Sequence, residues 1–344
     1  DLLSELAKTN KVTLVVEQEI DEQRMSQAWS TLVDENITLI VNPSLMGILK
    51  LIKTNKSRVH FFSGFFSYKV MSLALCIATF IRVPVYIISE AVESGTLKGK
   101  LKLKIRFAFA YFLKGKVKGV FVTGQRALEY FIKLGFSKDQ IFEYGYFVDV
   151  QPKNHFVTER TTTNIIFVGR LIPCKGINKL LQSFSLLTKI DSSYKLRIIG
   201  SGPLEKQLKE EVVNIGLSES TVTFMKDMPR NEVLAKIEQS DLLVLPNVGE
   251  EGWGVVVNES LLLGTPVICS QFTGANVVIN PNMQGKVIDA TNDNQLVDAI
   301  LSMKKYDSKA IITESQKRLL PSVLSKYLID IITEKETTFS PWYK

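Results

Sequence analysis

From end to end the chain alternates short runs of Val, Ile, Leu and Phe with segments of helical periodicity. In the first half the strand-like runs are "VTLVVEQ" (12–18), "TLIVN" (38–42), "VHFFSG" (59–64), "PVYIISE" (84–90), "GVFVTG" (119–124) and "IFEYGYF" (141–147). They are apolar nearly throughout rather than at every second position, as expected of parallel strands covered on both faces. A polar, proline-containing stretch without periodicity, "DVQPKNHFVTERTTTN" (149–164), interrupts the rhythm and reads as a linker. The alternation then resumes with "NIIFVGRL" (164–171), "YKLRIIG" (194–200), "TVTFM" (221–225), "LLVLP" (242–246), "PVICS" (266–270) and "GKVID" (285–289). Strands separated by helices build parallel sheets with helices on both faces. The expected fold is therefore α/β, two Rossmann-like doubly wound domains at 1–152 and 160–306 facing each other across a cleft. A helical tail, 307–344, is expected to pack back on the first domain. In such folds ligands bind outside the carboxyl ends of the strands.

Composition narrows the chemistry. Cys76, Cys174 and Cys269 lie far apart and form no metal-ligand spacing, so they read as reduced, intracellular thiols. His60 and His155 are the only histidines, too few for a histidine-rich metal site. His60 either faces a ligand or is packed. The longest apolar run, "VMSLALCIATFI" (70–81), is short of the roughly 20 residues a membrane span needs and reads as a buried helix.

The net charge of +7 is spread unevenly, because "KGKLKLKIRFAFAYFLKGKVK" (98–118) holds eight Lys and Arg and no acid. It is either a helix with a solvated basic face or a patch resting on an anionic membrane, where each basic residue contributes about 1 kcal/mol. No helix-turn-helix, zinc or base-stacking pattern supports nucleic-acid binding. With no signal peptide to read, the expected location is cytoplasmic, peripheral at the inner face of the plasma membrane.

The stretch "EEGWGVVVNESLLLGTPVICS" (250–270) carries the strongest chemical signal. It sets Glu251 and Glu259 around Gly252-Trp253-Gly254, between a strand and a helix. On one regular helix the two carboxylates would stand about 12 Å apart along the axis and about 80° apart around it. A pair that cuts a glycosidic bond stands about 5–9.5 Å apart, so a hydrolase is disfavoured and two sets of hydroxyls on one extended ligand fit better. Gly252 and Gly254 allow close backbone approach at a helix start, where free N–H groups favour an anion. In "VGRLIPCKG" (168–176), Arg170 and Lys175 follow the first strand of this half, positioned to hold a diphosphate leaving group. The turn "IIGSGP" (198–203), with Gly200 and Gly202, lacks the full G-x-G-x-x-G spacing, which disfavours a nicotinamide dehydrogenase.

Together "FVGRLIPCKGINKLLQSF", "LRIIGSGPLEKQL", "DLLVLPNVGEEGWGVVVNESLLLGTPVICS" and "QGKVID" resemble the C-terminal domain of the retaining family 4 glycosyltransferases of GT-B fold, over about 160–305. The segment "SEAVESGTLKGK…IFEYGYFVD" is similar to the subgroup of surface-polysaccharide assembly. The resemblance implies a hexosyl transfer from a UDP- or GDP-linked sugar to a glycan or lipid-linked acceptor, with retention, without metal or other cofactor. It implies that Arg170 and Lys175 bind the diphosphate, Glu259 the ribose hydroxyls and Glu251 the donor sugar. Gly200, Gly202, Gly252, Trp253 and Gly254 would line the donor.

Two departures stand out. Glu90 holds the place where many members carry a histidine near the reacting sugar, and it either handles the acceptor, as orienting group or base, or is an exposed structural carboxylate. The chain also opens on what looks like the helix after the family's first strand and glycine-rich loop. Either the protein starts earlier or the chain is impaired, so a non-catalytic binder of sugar nucleotide or glycan stands beside the transferase, as does a sugar-nucleotide epimerase.

Overall fold

The computed structural model describes residues 2–17, 34–64, 69–90, 108–152, 162–249, 251–290, 292, 294–303 and 306–343. The chain divides into two compact units. The first contains Asp1–Met25, Trp29–Tyr146 and Ser325–Pro341, and the second Ser26–Ala28, Phe147–Leu324 and Trp342–Lys344.

In the first unit, α1 (Leu2–Ala7) leads into β1 (Val12–Val16), which pairs in parallel with β2 (Ile37–Val41) as a sheet of its own. After α2 (Leu45–Thr54) come β3 (His60–Ser63), α3 (Lys69–Ile81), β4 (Val85–Ser89), β5 (Gly119–Thr123), α4 (Gly124–Lys133) and β6 (Ile141–Tyr144). These four strands form a parallel sheet in the order β3-β4-β5-β6. Its register sets Phe61, Tyr86, Phe121 and Phe142 in a row across one face, with ring centroids 5.6, 5.6 and 5.2 Å apart in turn. Gly119 makes room for that row, since a Cβ there would stand 2.4 Å from the Phe142 ring.

α3 departs from the expectation of a buried helix. Ala74, Leu75 and Ala78 are buried, but Leu73 and Phe80 are exposed. A continuous apolar run shows no periodicity, so it cannot reveal that only one side of the helix is covered. Among the described residues no helix is long and apolar enough to cross a membrane.

The second unit is one six-stranded parallel sheet in the order β12-β11-β10-β7-β8-β9. Its strands are β7 (Thr163–Val168), β8 (Tyr194–Ile199), β9 (Val222–Met225), β10 (Leu242–Leu245), β11 (Val267–Ser270) and β12 (Gly285–Ile288). Between and after them lie α5 (Ile177–Ile190), α6 (Glu205–Asn214), α7 (Arg230–Glu238), α8 (Val256–Leu262), α9 (Gln295–Leu301) and α10 (Ser308–Leu319), and a last helix, α11 (Pro321–Ile332), belongs from Ser325 onward to the first unit. The chain builds β7, β8 and β9 outward in one direction, then returns to the other side of β7 for β10. Asp241 pins that return, since its carboxylate accepts from the Asn164 N–H at 2.7 Å. At the opposite, carboxyl ends of β7 and β10 the connections leave toward different neighbours, so those ends form the topological switch point.

Phe121 is the centre of the aromatic row and is fully buried. Phe121→Ala should lower unfolding free energy by about 3–5 kcal/mol, read by urea denaturation, because the row leaves a ring-sized void.

Candidate functional site

The loops after β7, β8, β10 and β11 are stitched to one another by backbone hydrogen bonds. Leu171 N–H donates to Ser201 O at 2.8 Å and Leu204 N–H to Leu171 O at 3.1 Å, joining the β7 and β8 loops. Val248 N–H donates to Cys174 O at 2.9 Å, joining the β7 and β10 loops, and Glu251 N–H to Phe272 O at 3.2 Å, joining β10 to β11. Glycine makes this approach possible. Gly200 has φ +141°, and a Cβ on it would stand 2.1 Å from Gly169 O, while one on Gly202 would stand 2.5 Å from Leu171 O. The close approach these residues permit is thus of loop against loop.

At the switch point Lys175 and Glu251 meet. Lys175 Nζ donates to Glu251 Oε1, with both side chains largely buried. Glu251 Oε2 accepts from Asn247 Nδ2, which also donates to Thr273 Oγ1 at 3.1 Å. Asn247 is fully buried and its carbonyl accepts from the Ser270 hydroxyl at 2.6 Å. Glu251 is therefore held from three strand ends: β7 through Lys175, β10 through Asn247, and β11 through Thr273 and Ser270 behind Asn247. Gly254, at φ +85°, lies against the Glu251 carboxyl, 3.5 Å from where its Cβ would be. Gly252 and Arg170 are exposed. Trp253 is turned inward, 3% exposed, with its indole N–H on Asn258 Oδ1 at 3.0 Å, so its side chain packs in the domain and its backbone is what the loop presents.

Glu259 is not on a common helix with Glu251, which precedes α8 by several residues. It is 7% exposed, and Arg230 Nε at the start of α7 donates to its Oε1 at 2.8 Å. Burial pushes the Glu259 carboxyl above its ordinary range, and the Arg230 guanidinium works against that shift. Ser201 Oγ donates to Asp227 Oδ2, linking "GSGP" to "MKDMPR". In the first unit, Glu90 closes β4 and accepts from Tyr146 Oη at 2.8 Å, while its carbonyl accepts from Ser89 Oγ at 3.0 Å. His60 opens β3 rather than closing it, and its Nε2 contacts Asn55 O at 3.1 Å, at the edge opposite to that of Glu90. All three cysteines are free. Among the described residues no group of three His, Cys, Asp or Glu side chains could hold a metal ion.

Arg230, Asn247, Thr273 and Tyr146 were not singled out by the sequence. Asn247 had a signal, a polar side chain directly after "LLVLP" at a strand's carboxyl end. Arg230 had a weaker one, opening a helix behind Pro229.

Comparison with known proteins sorts these features in two steps. Solved structures place the chain in the GT-B fold: that of Anabaena Alr3699/HepE in complex with UDP aligns over 97% of this chain and 95% of its own, with TM-score 0.69 and 14% identity. Residues 150–318 then match the family model of the glycosyl transferases group 1. The poly(ribitol-phosphate) alpha-N-acetylglucosaminyltransferase of Staphylococcus aureus is 28% identical over 224 residues, 64% of this chain and 43% of that protein. The phosphatidyl-myo-inositol mannosyltransferase of Mycobacterium leprae is 28% identical over 149 residues, 43% of this chain and 39% of that protein. The chain spans about two fifths of the length of the curated relatives it matches.

Asn247→Ala removes a donor to both Glu251 and Thr273 from a fully buried position. It should cost about 1–3 kcal/mol in urea denaturation, the cost of leaving buried partners unpaired.

Proposed function

We propose that the protein is a retaining hexosyltransferase that moves a sugar from a UDP- or GDP-linked donor to a glycan or lipid-linked acceptor in cell-surface polysaccharide assembly, without a metal ion. The observation that carries this reading is the meeting of Lys175, Glu251 and Asn247 at the switch point, with Glu259 on the helix that follows. The relatives agree in class: one is named for a poly(ribitol-phosphate) acceptor, another for phosphatidyl-myo-inositol, and the HepE structure holds UDP.

In this reading Arg170 and Lys175 bind the diphosphate and offset the charge that develops on it as the glycosidic bond breaks. Glu259 accepts the ribose hydroxyls, and Glu251 accepts hydroxyls of the donor sugar or balances positive charge at its anomeric carbon. Gly200, Gly202 and the backbone of Gly252, Trp253 and Gly254 shape the donor pocket. Glu90, oriented by Tyr146, serves the acceptor hydroxyl as orienting group or base. The protein works in the cytoplasm at the inner face of the plasma membrane, with the basic segment 98–118 as its peripheral contact; residues 98–107 of that segment lie outside those described.

Calorimetric titration with UDP and GDP, without metal, tests the donor site. One nucleotide should bind, and Arg170→Ala or Glu259→Gln should weaken it about 10–100-fold, the worth of a charge-assisted hydrogen bond. Unchanged affinity in both variants would sink the assignment. The pH dependence has a defined sign. Glu259 accepts hydroxyls fully only when ionised, and its pKa is raised from 4.5. Affinity should be full above the raised pKa and fall as pH drops through it, before an ordinary glutamate protonates. In Glu259→Gln that dependence should flatten.

A further inference from the structure

The exposed side of α3 and the residues leading into β5 form a surface that neither the donor site nor Glu90 uses. Leu73, Cys76 and Phe80 follow one another at spacings of three and four residues along α3 and so lie on one side of it. Phe80 is 85% exposed and Leu73 45%. In the helical residues 108–113, Tyr111 is 69% exposed and Phe112 57%. Large aromatic side chains this far in water lose the gain of burial unless something covers them.

The two elements are neighbours by topology. β4 and β5 pair in parallel, and Lys118 N–H donates to Val85 O at 2.8 Å, so the residues entering β4 and those entering β5 lie side by side. Burial pushes the Cys76 thiol up, and the Lys116 cation works against that shift.

The charged residues of these two segments are all basic. Arg82 follows α3, and Lys114, Lys116 and Lys118 precede β5. Neither 69–89 nor 108–118 contains an acid, and the acid that reaches the patch is Glu334, 3.2 Å from Lys118. Lys114 Nζ lies 4.0 Å from the Tyr111 ring centroid and Lys116 Nζ 3.3 Å from that of Phe112. Each of these aromatic residues thus carries a cation on one ring face.

We propose that this surface, built on Leu73, Phe80, Tyr111 and Phe112 and rimmed by Arg82, Lys114 and Lys116, docks on a bilayer with anionic headgroups. It deepens the membrane contact proposed above and rests on that part of the reading, not on sugar transfer. Apolar side chains enter the headgroup boundary while lysines reach from their stems to the phosphates, and the two signals together give the stable attachment that one alone does not. A second copy of the chain fits worse, because two such faces would press like charges together. Single-stranded nucleic acid fits worse too, because a lysine occupies one face of Tyr111 and of Phe112, which leaves bases less ring to stack on.

The test is sedimentation of the full chain with vesicles of phosphatidylcholine alone and of phosphatidylcholine with phosphatidylglycerol. The wild type should sediment with the anionic vesicles alone. Arg82→Gln/Lys114→Gln/Lys116→Gln should reduce partitioning about a hundredfold, three charges at about 1 kcal/mol each converted at 1.4 kcal/mol per tenfold. Phe80→Ser/Phe112→Ser should also release the protein, with its thermal melt and UDP or GDP titration unchanged because both side chains are exposed and outside the donor site. A wild type that stays in solution, or variants that sediment as it does, would overturn the proposal. So would a wild-type dimer that Phe80→Ser/Phe112→Ser dissociates, or an oligonucleotide complex that the charge variant abolishes. The nucleotide titration fails or succeeds independently of these outcomes, so the two readings fall separately.

Discussion

The pairing of Lys175 with Glu251 exists because β7 and β10 are neighbours that run the same way. Their loops leave the sheet from one edge, and the connections that follow diverge, α5 toward β8 and α8 toward β11. A gap between diverging loops is where polar side chains can turn inward without disturbing the packed strands. Lys175 comes from one side of that gap, and Asn247 and Glu251 from the other. The buried Asn247 side chain donates through its Nδ2 to the Glu251 carboxylate and the Thr273 hydroxyl, its backbone carbonyl accepts from Ser270, and its Oδ1 is buried without a hydrogen-bond partner among the described residues. The ion pair, the glycine contacts and the aligned loop ends all follow from one change of direction in strand order.

Much of this was legible before any coordinates. Each of the twelve strand-like runs is a strand, because runs apolar on both faces have few other ways to be satisfied in a chain of this rhythm. The positions of Arg170, Lys175, Glu251 and Glu259 relative to strand ends were legible for the same reason. What could not be read were pairings that depend on how one element lies against another. Arg230 meets Glu259 across 29 residues because α7 and α8 pack together, and no spacing announces that. Nor does the motif say that the Trp253 side chain packs inward, or that Gly200 and Gly202 serve loop contacts. The run at 70–81 has the composition of a core helix, and the exposure of Phe80 is fixed by what packs on β4, not by the run itself.

Each of the two motif glutamates has a cationic partner, Lys175 for Glu251 and Arg230 for Glu259. A diphosphate that takes Lys175 therefore enters as a competitor of a carboxylate, and the free energy of binding is the difference between two charge-assisted contacts rather than the whole of one. In the proposed reading the same holds for ribose hydroxyls at Glu259, which would arrive as a second set of donors beside a guanidinium. Their environments separate the two exchanges. Arg230 is half exposed, so its release is buffered by water, whereas Lys175 and Glu251 are both largely buried and a lost contact there goes unreplaced. In the proposed reading the coupling between donor binding and the state of Glu251 is thus tight at the sugar end and loose at the ribose end. An anion that draws Lys175 away leaves Glu251 with Asn247 alone, its negative charge less balanced at the moment the anomeric carbon becomes positive. That order of events would let the leaving group itself make the carboxylate available to the reacting sugar.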